Sequence, residues 1–408
     1  MHKQNMPFFN KYTFNKELFG FLNNSNYLSR FKEGAALAII TYCIGLIVVD
    51  IPNALSVTAT LGIVSHDAIN RALSAIGEDL TKVIMSVIQL LKPQTAISGC
   101  LIIDGVIIRK PYGPKLPYTA KIYDHTTGSY VKGYQVVVLL WSNGLVKIPL
   151  AWRLWRPKQN ADPYQTKLQL AMDMLDSPVT RLLPVSFVNF DIWYASVELL
   201  KFLDAHHLYF VTMVKKNRKL KLTGSNLPIR ADELAQSFNH DQYRYYPSVG
   251  FYIRSMVLEL TNYGTVRLSI VKNGRRAAIK DTRFIITNML DLTAAGTVQN
   301  YLMRWNIEVF FRDIKQHLGF EKCRMRGYMK LQGHLTLVFV SYMFIEYTRI
   351  SNGFDIIGDT VNYLKSASEI EVRDKVFTVY TSLSKGEFIQ KVIGEDSVRT
   401  IIFENFAA

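Results

Sequence analysis

The sequence predicts an α/β fold: a mixed β-sheet core, interrupted by a mostly β insertion and preceded by an all-helical N-terminal segment. Three observations predict it. Between residues 97 and 214, short β-branched runs alternate with segments of helical spacing. Over 215–290 that alternation gives way to a stretch rich in Tyr, Arg and β-branched residues, with turns at Pro228, at Asn262 and Gly264, and at Asn273-Gly274. Residues 1–95 read as helical, with Pro52 and Pro93 as punctuation.

Taken in order, the N-terminal part holds one long apolar run, 35–49, which includes Thr41, Tyr42 and Gly45. It falls short of the roughly 18 residues of a membrane span, so a buried core helix is expected and no membrane partner. Residues 56–73 have the form of a helix-turn-helix. A short helix reaches Leu61, Gly62 supplies the turn, and Ser65 caps a second helix presenting His66, Asn70 and Arg71 outward. Those are positions from which bases are read, although many capped helix pairs share this look.

From Ile97 a β-branched run leads to Asp104. Residues 134–141 and 145–152 read as a hairpin across Asn143-Gly144. A helix is expected over 163–175, a strand over 185–190 that ends on Asp191, a helix over 194–205 and a strand over 209–214. After the insertion, helical spacing resumes over 292–318 and again over 331–349. The expected domains are a helical N-terminal domain (1–95), a catalytic core in two parts (96–214 and 291–350), the β-rich insertion (215–290), and a helical tail (351–408) as a candidate for oligomerisation.

Lys and Arg outnumber Asp and Glu by 48 to 33, and that excess of +15 points to a polyanionic partner. The charge is spread in blocks: Lys215, Lys216 and Arg218, then Arg275 and Arg276, then Arg324 and Arg326. Spread blocks suit a long duplex footprint better than a single basic tail does. Three separated cysteines, Cys43, Cys100 and Cys323, argue for a reducing compartment and against a disulfide framework or a zinc site. The N-terminus lacks an apolar core of signal-peptide type, so a cytoplasmic protein is expected.

The segment 301–315 holds the densest chemistry. Wound as one helix, it places Tyr301, Arg304, Glu308, Arg312 and Lys315 in a stripe about 80° wide. Leu302, Trp305, Ile307, Val309, Phe310, Phe311, Ile314 and Leu318 fill most of the rest, so a mostly buried helix is expected. An ordinary helix with ion pairs such as Arg304–Glu308 would show the same stripe. Asp104 and Asp191, each expected at a strand's C-terminal end, can be turn formers when taken singly. Together with Glu308 they form a three-carboxylate set, which divalent cations would neutralise. Two Mg²⁺ ions roughly 4 Å apart suit phosphodiester chemistry, with Mn²⁺ able to substitute. Arg304, Arg312 and Lys315 would then grip neighbouring phosphates.

These residues resemble the IS4-type DDE transposases. The spacing Tyr-x₂-Arg-x₃-Glu-x₆-Lys is filled by Tyr301, Arg304, Glu308 and Lys315. Asp104 with the Gly-Val-Ile-Ile-Arg-Lys-Pro-Tyr-Gly that follows it, Tyr123-Asp-His125, Gly133, and Asp191-Ile-Trp-Tyr194 are similar to the family's other blocks, in the family's order. The resemblance spans roughly residues 60–345. It implies an RNase H-like core, metal binding by Asp104, Asp191 and Glu308, and DNA-end phosphate contacts by Tyr301, Arg304 and Lys315. It also implies cut-and-paste transposition on double-stranded DNA, with terminal inverted repeats and a target as partners and a homodimer at synapsis. The expected setting is a bacterial or archaeal cytosol, at the nucleoid.

Two departures stand out. Gly105 replaces a second acid found in many relatives. No Trp lies between Tyr194 and Met303, where relatives use one to hold a flipped base, so Tyr243, Tyr245, Tyr246, Phe251 and Tyr252 are the candidate stacking residues. The competing readings are a structure-specific nuclease on the same core and a domesticated, non-catalytic DNA-binding protein.

Overall fold

In the computed structural model, which describes residues 13–112, 116–124, 127–161, 163–222, 224, 227–323 and 325–366, the chain opens with helices that close their apolar faces on one another. They are α1 (Thr13–Asn24), α2 (Glu33–Val48), α3 (Ala54–Leu61), α4 (His66–Ala75), α5 (Thr81–Leu90) and the single turn α6 (Lys92–Thr95). The apolar run expected to be a buried helix is α2, buried from Ala38 through Leu46 and Ile47. Among the described residues no helix is long and apolar enough to cross a membrane. The expected helix-turn-helix shape is present. Gly62 closes α3 at φ +62°, and the Ser65 hydroxyl accepts the Ala68 N–H at 3.2 Å to open α4.

The core follows as β1 (Gly99–Arg109), β2 (Ala120–Asp124), β3 (Ser129–Ser142), β4 (Lys147–Trp155), α7 (Lys167–Asp176), β5 (Val185–Phe190), α8 (Val197–Ala205) and β6 (Phe210–Val214). β1 runs parallel to β5, and β5 parallel to β6, while β3 lies antiparallel along the other side of β1. The expected two-residue hairpin turn is a four-residue connection, 143–146. Asn143 accepts the N–H groups of Leu145 and Val146 there, both at 3.1 Å, and so directs the return strand.

Residues 215–290 contribute β7 (Lys219–Lys221), β8 (Ile229–Arg230), α9 (Ala231–Gln236), β9 (Arg244–Tyr246), β10 (Phe251–Leu260), β11 (Gly264–Lys272) and β12 (Arg283–Thr287). They do not form a sheet of their own. β12 pairs antiparallel with β6, so the insertion continues the core sheet in the order β2-β3-β1-β5-β6-β12-β11-β10-β7-β8. A mixed sheet results.

Next come α10 (Ala294–Leu302), α11 (Trp305–His317) and the long α12 (Tyr328–Asn352). α12 is buried along most of its length and touches α2, α4, α5, β4 and α11, so the N-terminal helices and the sheet share one continuous core. Phe339 contacts Trp152 and Phe310 at ring separations of 6.0 and 5.7 Å, and Tyr342 meets Phe310 edge-on at 4.7 Å. Buried Glu346 accepts from Arg349 at 2.7 Å and from the Lys147 backbone N–H at 2.9 Å, which ties the hairpin to this helix. Such a pair is stable because each charge has several partners.

Two expectations change. Asp104 lies in the middle of β1 rather than at its end, because Val106, Ile107 and Ile108 extend the strand against β3. The expected single helix through 301–315 is two, α10 and α11, joined by a tight turn at Met303 and Arg304. Ile307, Phe310, Phe311, Ile314 and Leu318 are buried as expected, but Leu302 and Trp305 flank the turn and are exposed. Of the tail, residues from 367 onward lie outside the described residues, and a helix occupies 357–366.

A Cβ at Gly333 would run into the Leu73 backbone carbonyl, since α12 meets α4 backbone to backbone at this point. Gly333→Ala should therefore cost about 1–3 kcal/mol in denaturant unfolding. Unchanged stability would mean the two helices do not approach this closely. His334, next along, is wholly buried with Nδ1 2.9 Å from the Tyr42 hydroxyl, and burial pulls its pKa down to about 4. The unfolded chain takes up that proton near pH 6.5, so the neutral ring's contribution is whole above that pH and drains away towards pH 4. The stability gap between the wild type and His334→Asn should narrow as pH falls from 7 to 4.5. A constant gap would contradict this.

Candidate active site

Parallel pairing of β1 with β5 ends at Ile103 and Phe190. One residue on, Asp104 and Asp191 line the same cavity, near enough that the charge of Asp191 acts on the Asp104 carboxyl. Beyond this point β1 continues against β3 alone, and the departing β5 chain leaves an opening of the kind that collects ligands in α/β sheets. Asp104 accepts the Gly105 N–H at 2.7 Å. Asp191 turns back to accept those of Trp193 at 2.9 Å and Tyr194 at 3.4 Å. A cavity of about 600 Å³ opens over both, lined also by Gln135, Lys167, Trp193, Tyr194 and Lys315.

Glu308 approaches from α11 by way of Arg304. The turn before α11 is pinned by Asn189 of β5, whose amide donates to the Asn300 and Tyr301 carbonyls at 2.7 and 3.2 Å. There the guanidinium reaches Asp104 at 3.4 Å and pairs with Glu308, with the Tyr301 ring 5.8 Å away. Its Nε is buried with no partner among the described residues.

The electrostatics follow from burial. Loss of solvent, then the charge of Asp191, pushes the Asp104 carboxyl up to about 7, against the pull of Gly105 N–H and Arg304. Burial also raises Asp191, opposed by the Trp193 and Tyr194 N–H groups, Arg304 and Lys167. Desolvation tends to lower Arg304, yet Tyr301, Glu308 and Asp104 together hold it above its ordinary value. Burial lowers Lys167, whose ammonium lies 4.0 Å from the Trp193 ring centre, and the two aspartates pull it back up.

The donor set is three carboxylates without Cys or His, which suits a hard divalent cation. Asp104 and Asp191 hold more negative charge than one arginine answers, so the chemistry fits. Among the described residues no group of three His, Cys, Asp or Glu side chains is close enough to hold a metal, and Glu308 is paired with Arg304.

Other expected residues are placed differently. Lys315 lines the cavity but is paired with Glu321 at 2.8 Å, while Arg312 is exposed outside it and reaches Asp313 at 3.4 Å. Lys215 and Arg218 line a neighbouring cavity, whereas Lys216 is exposed and not part of its lining. Arg275 and Arg276 sit with His240 at another pocket. His66 and Arg71 are exposed and Asn70 half-buried on α4, outside the catalytic cavity. Arg326 is exposed, and Arg324 and His125 lie outside the described residues. Tyr243 is buried, its hydroxyl on the Ala235 carbonyl at 3.2 Å, so it is withdrawn as a stacking residue; Tyr245 is half exposed beside Tyr252. A Cβ at Gly105 would meet the tip of the Gln135 side chain at 2.7 Å, so a second acid there would require that amide to swing aside.

The sequence reading missed Lys167 and gave Trp193 no role. Trp193 lies two residues past Asp191, so its place at the site was within reach. Lys167 begins α7, set by the Thr166–Gln169 capping box, and only the folded chain brings it across the sheet.

Removing the guanidinium should raise the Asp104 pKa further. We expect roughly one unit above its present value in Arg304→Gln, read by carboxyl-carbon NMR titration. A fall, or no change, would show that Arg304 does not neutralise this carboxylate.

A family model described as Transposase DDE domain matches residues 96–344, from just before β1 into α12. No curated protein matches the chain.

Proposed function

The chain belongs to the transposase DDE-domain family, and from that premise we propose that it cuts DNA at the ends of a mobile element and joins the freed 3′-OH to a target. The proposal includes an RNase H-like core and the IS4-type subgroup, supported by the Tyr301, Arg304, Glu308 and Lys315 spacing. The observation that carries it is the convergence of Asp104 and Asp191 at the point where β1 and β5 part, with Glu308 brought alongside by Arg304.

In this reading Asp104, Asp191 and Glu308 hold Mg²⁺ or Mn²⁺. Divalent cations at such a site supply activation of the attacking oxygen and neutralisation of the leaving one. The chain's own groups do the positioning. Asn189 fixes the turn from which Arg304 reaches the acids, and the DNA backbone competes for Arg304 against Asp104 and Glu308. Lys315 exchanges Glu321 for a phosphate, and Lys167, which lines the same cavity as the aspartates, meets a phosphate as a point charge. His66, Asn70 and Arg71 read the end sequence from the N-terminal helix pair, and the exposed basic blocks hold flanking backbone.

Glu308→Gln should lower end cleavage by about three orders of magnitude or more while leaving DNA-end binding nearly intact. The assay uses labelled duplex ends, a supercoiled target and Mg²⁺. Joined product from the wild type supports transposition, and cutting without joining would assign a nuclease instead. Wild-type strand transfer by Glu308→Gln would remove the carboxylate assignment.

A further inference from the structure

Gly105 follows Asp104 on β1, and two polar tips crowd the space that a side chain there would fill. A Cβ would lie 2.7 Å from Gln135 Nε2, on the neighbouring strand β3, and 3.4 Å from the Tyr194 hydroxyl. Both residues line the cavity that holds Asp104 and Asp191. Gln135 is 6% exposed and Tyr194 2%, yet neither the amide nor the hydroxyl makes a hydrogen bond among the described residues. Neither tip is sealed from solvent, so a molecule in the cavity reaches both. Polar groups on buried residues are costly without partners, and two of them together at an open cavity point to a ligand that completes them.

The neighbours decide what that ligand is. Ionised carboxylates only accept hydrogen bonds, and the ammonium groups of Lys167 and Lys315 only donate. An amide and a hydroxyl do both. Among the described residues the other lining side chain that does both, Tyr123, is 43% exposed beside Tyr130. Charged phosphate oxygens are met better by the ammonium groups. A neutral O–H must both donate and accept to be held in one orientation, and the amide and hydroxyl meet that need.

We propose that Gln135 and Tyr194 hold the attacking O–H of the reaction, water in the cut and the 3′-OH in the joining. The inference rests on the DNA-cleaving reading above. The Gln135 amide oxygen accepts from the O–H, the Tyr194 hydroxyl donates to one lone pair, and the other lone pair faces phosphorus. In the cut, the water oxygen bonds to phosphorus and the bond from phosphorus to the element's 3′-oxygen breaks. The leaving oxygen takes up a proton, and the water gives one to solvent. In the joining, the element's 3′-oxygen bonds to a target phosphorus and loses its proton, while the target's own 3′-oxygen leaves and gains one. Gly105 takes part because the amide keeps its place only where no Cβ displaces it.

The test measures turnover at saturating duplex in Mg²⁺, for cutting of intact ends and for joining of pre-cut ends, together with duplex affinity in EDTA. Gln135→Met keeps the buried volume and removes both ends of the amide. It should slow both steps by about a hundredfold with affinity unchanged. Tyr194→Phe should slow them by about tenfold. Gly105→Ala, which pushes the amide aside, should also slow both and add little to Gln135→Met in the double variant. Full turnover in Gln135→Met overturns the proposal, as does a loss of duplex affinity that accounts for its slowing, or an additive loss in the double variant. If Gln135→Met fails to fold by thermal melting, full turnover in Tyr194→Phe overturns it instead. A wild type that cuts no duplex end would sink the DNA-cleaving reading and this inference with it. A wild type that cuts and joins no faster than Gln135→Met would sink this inference alone.

Discussion

Two carboxylates forced together at the edge of a parallel strand pair are the constraint on which the rest of the structure depends. Asp104 and Asp191 sit one residue beyond the last paired positions of β1 and β5, partly out of water, where each disfavours the other's charge. Such a pair is costly unless positive charge is fixed nearby. Arg304 and Lys167 answer it, and Glu308 in turn balances the arginine. The site is thus poised around a charge that its own cations only partly meet.

Holding Arg304 there requires much of the fold. The turn that splits α10 from α11 is fixed by Asn189, which spends its amide on two carbonyls released by the helix end. Phe310 anchors α11 through Tyr342 and Phe339 to α12, and α12 is clasped by the N-terminal helices and by the β3–β4 hairpin. A disturbance at Gly333, within α12 and far along the chain from either aspartate, acts on the same scaffold. Stability and site geometry here share one set of contacts.

Much of this was legible in the sequence, for identifiable reasons. The 185–190 strand is sharply bounded because an apolar β-branched run ends directly on an aspartate. The helix pair around Gly62 was legible because a left-handed turn and a serine cap have distinct chemistry. The strand of Asp104 was read too short, since pairing with β3 carries it onward and pairing partners are not local information. The 301–315 helix was read as unbroken because Met303 and Arg304 remain in helical backbone conformation, and the break depends on a side chain more than a hundred residues earlier. Lys167 was invisible for the same reason: it meets the aspartates only across the sheet.

If Asp104, Asp191 and Glu308 form one cation site, a redox-active ion held there will mark all three. Substituting Fe²⁺ for the divalent ion and adding ascorbate and peroxide cuts the backbone wherever the metal is held, and fragment masses locate the cuts. Cleavage should cluster around residues 104, 191 and 308 and be lost at all three together in Asp191→Asn. Cuts confined to one of these places, or clustered elsewhere in the chain, would contradict it.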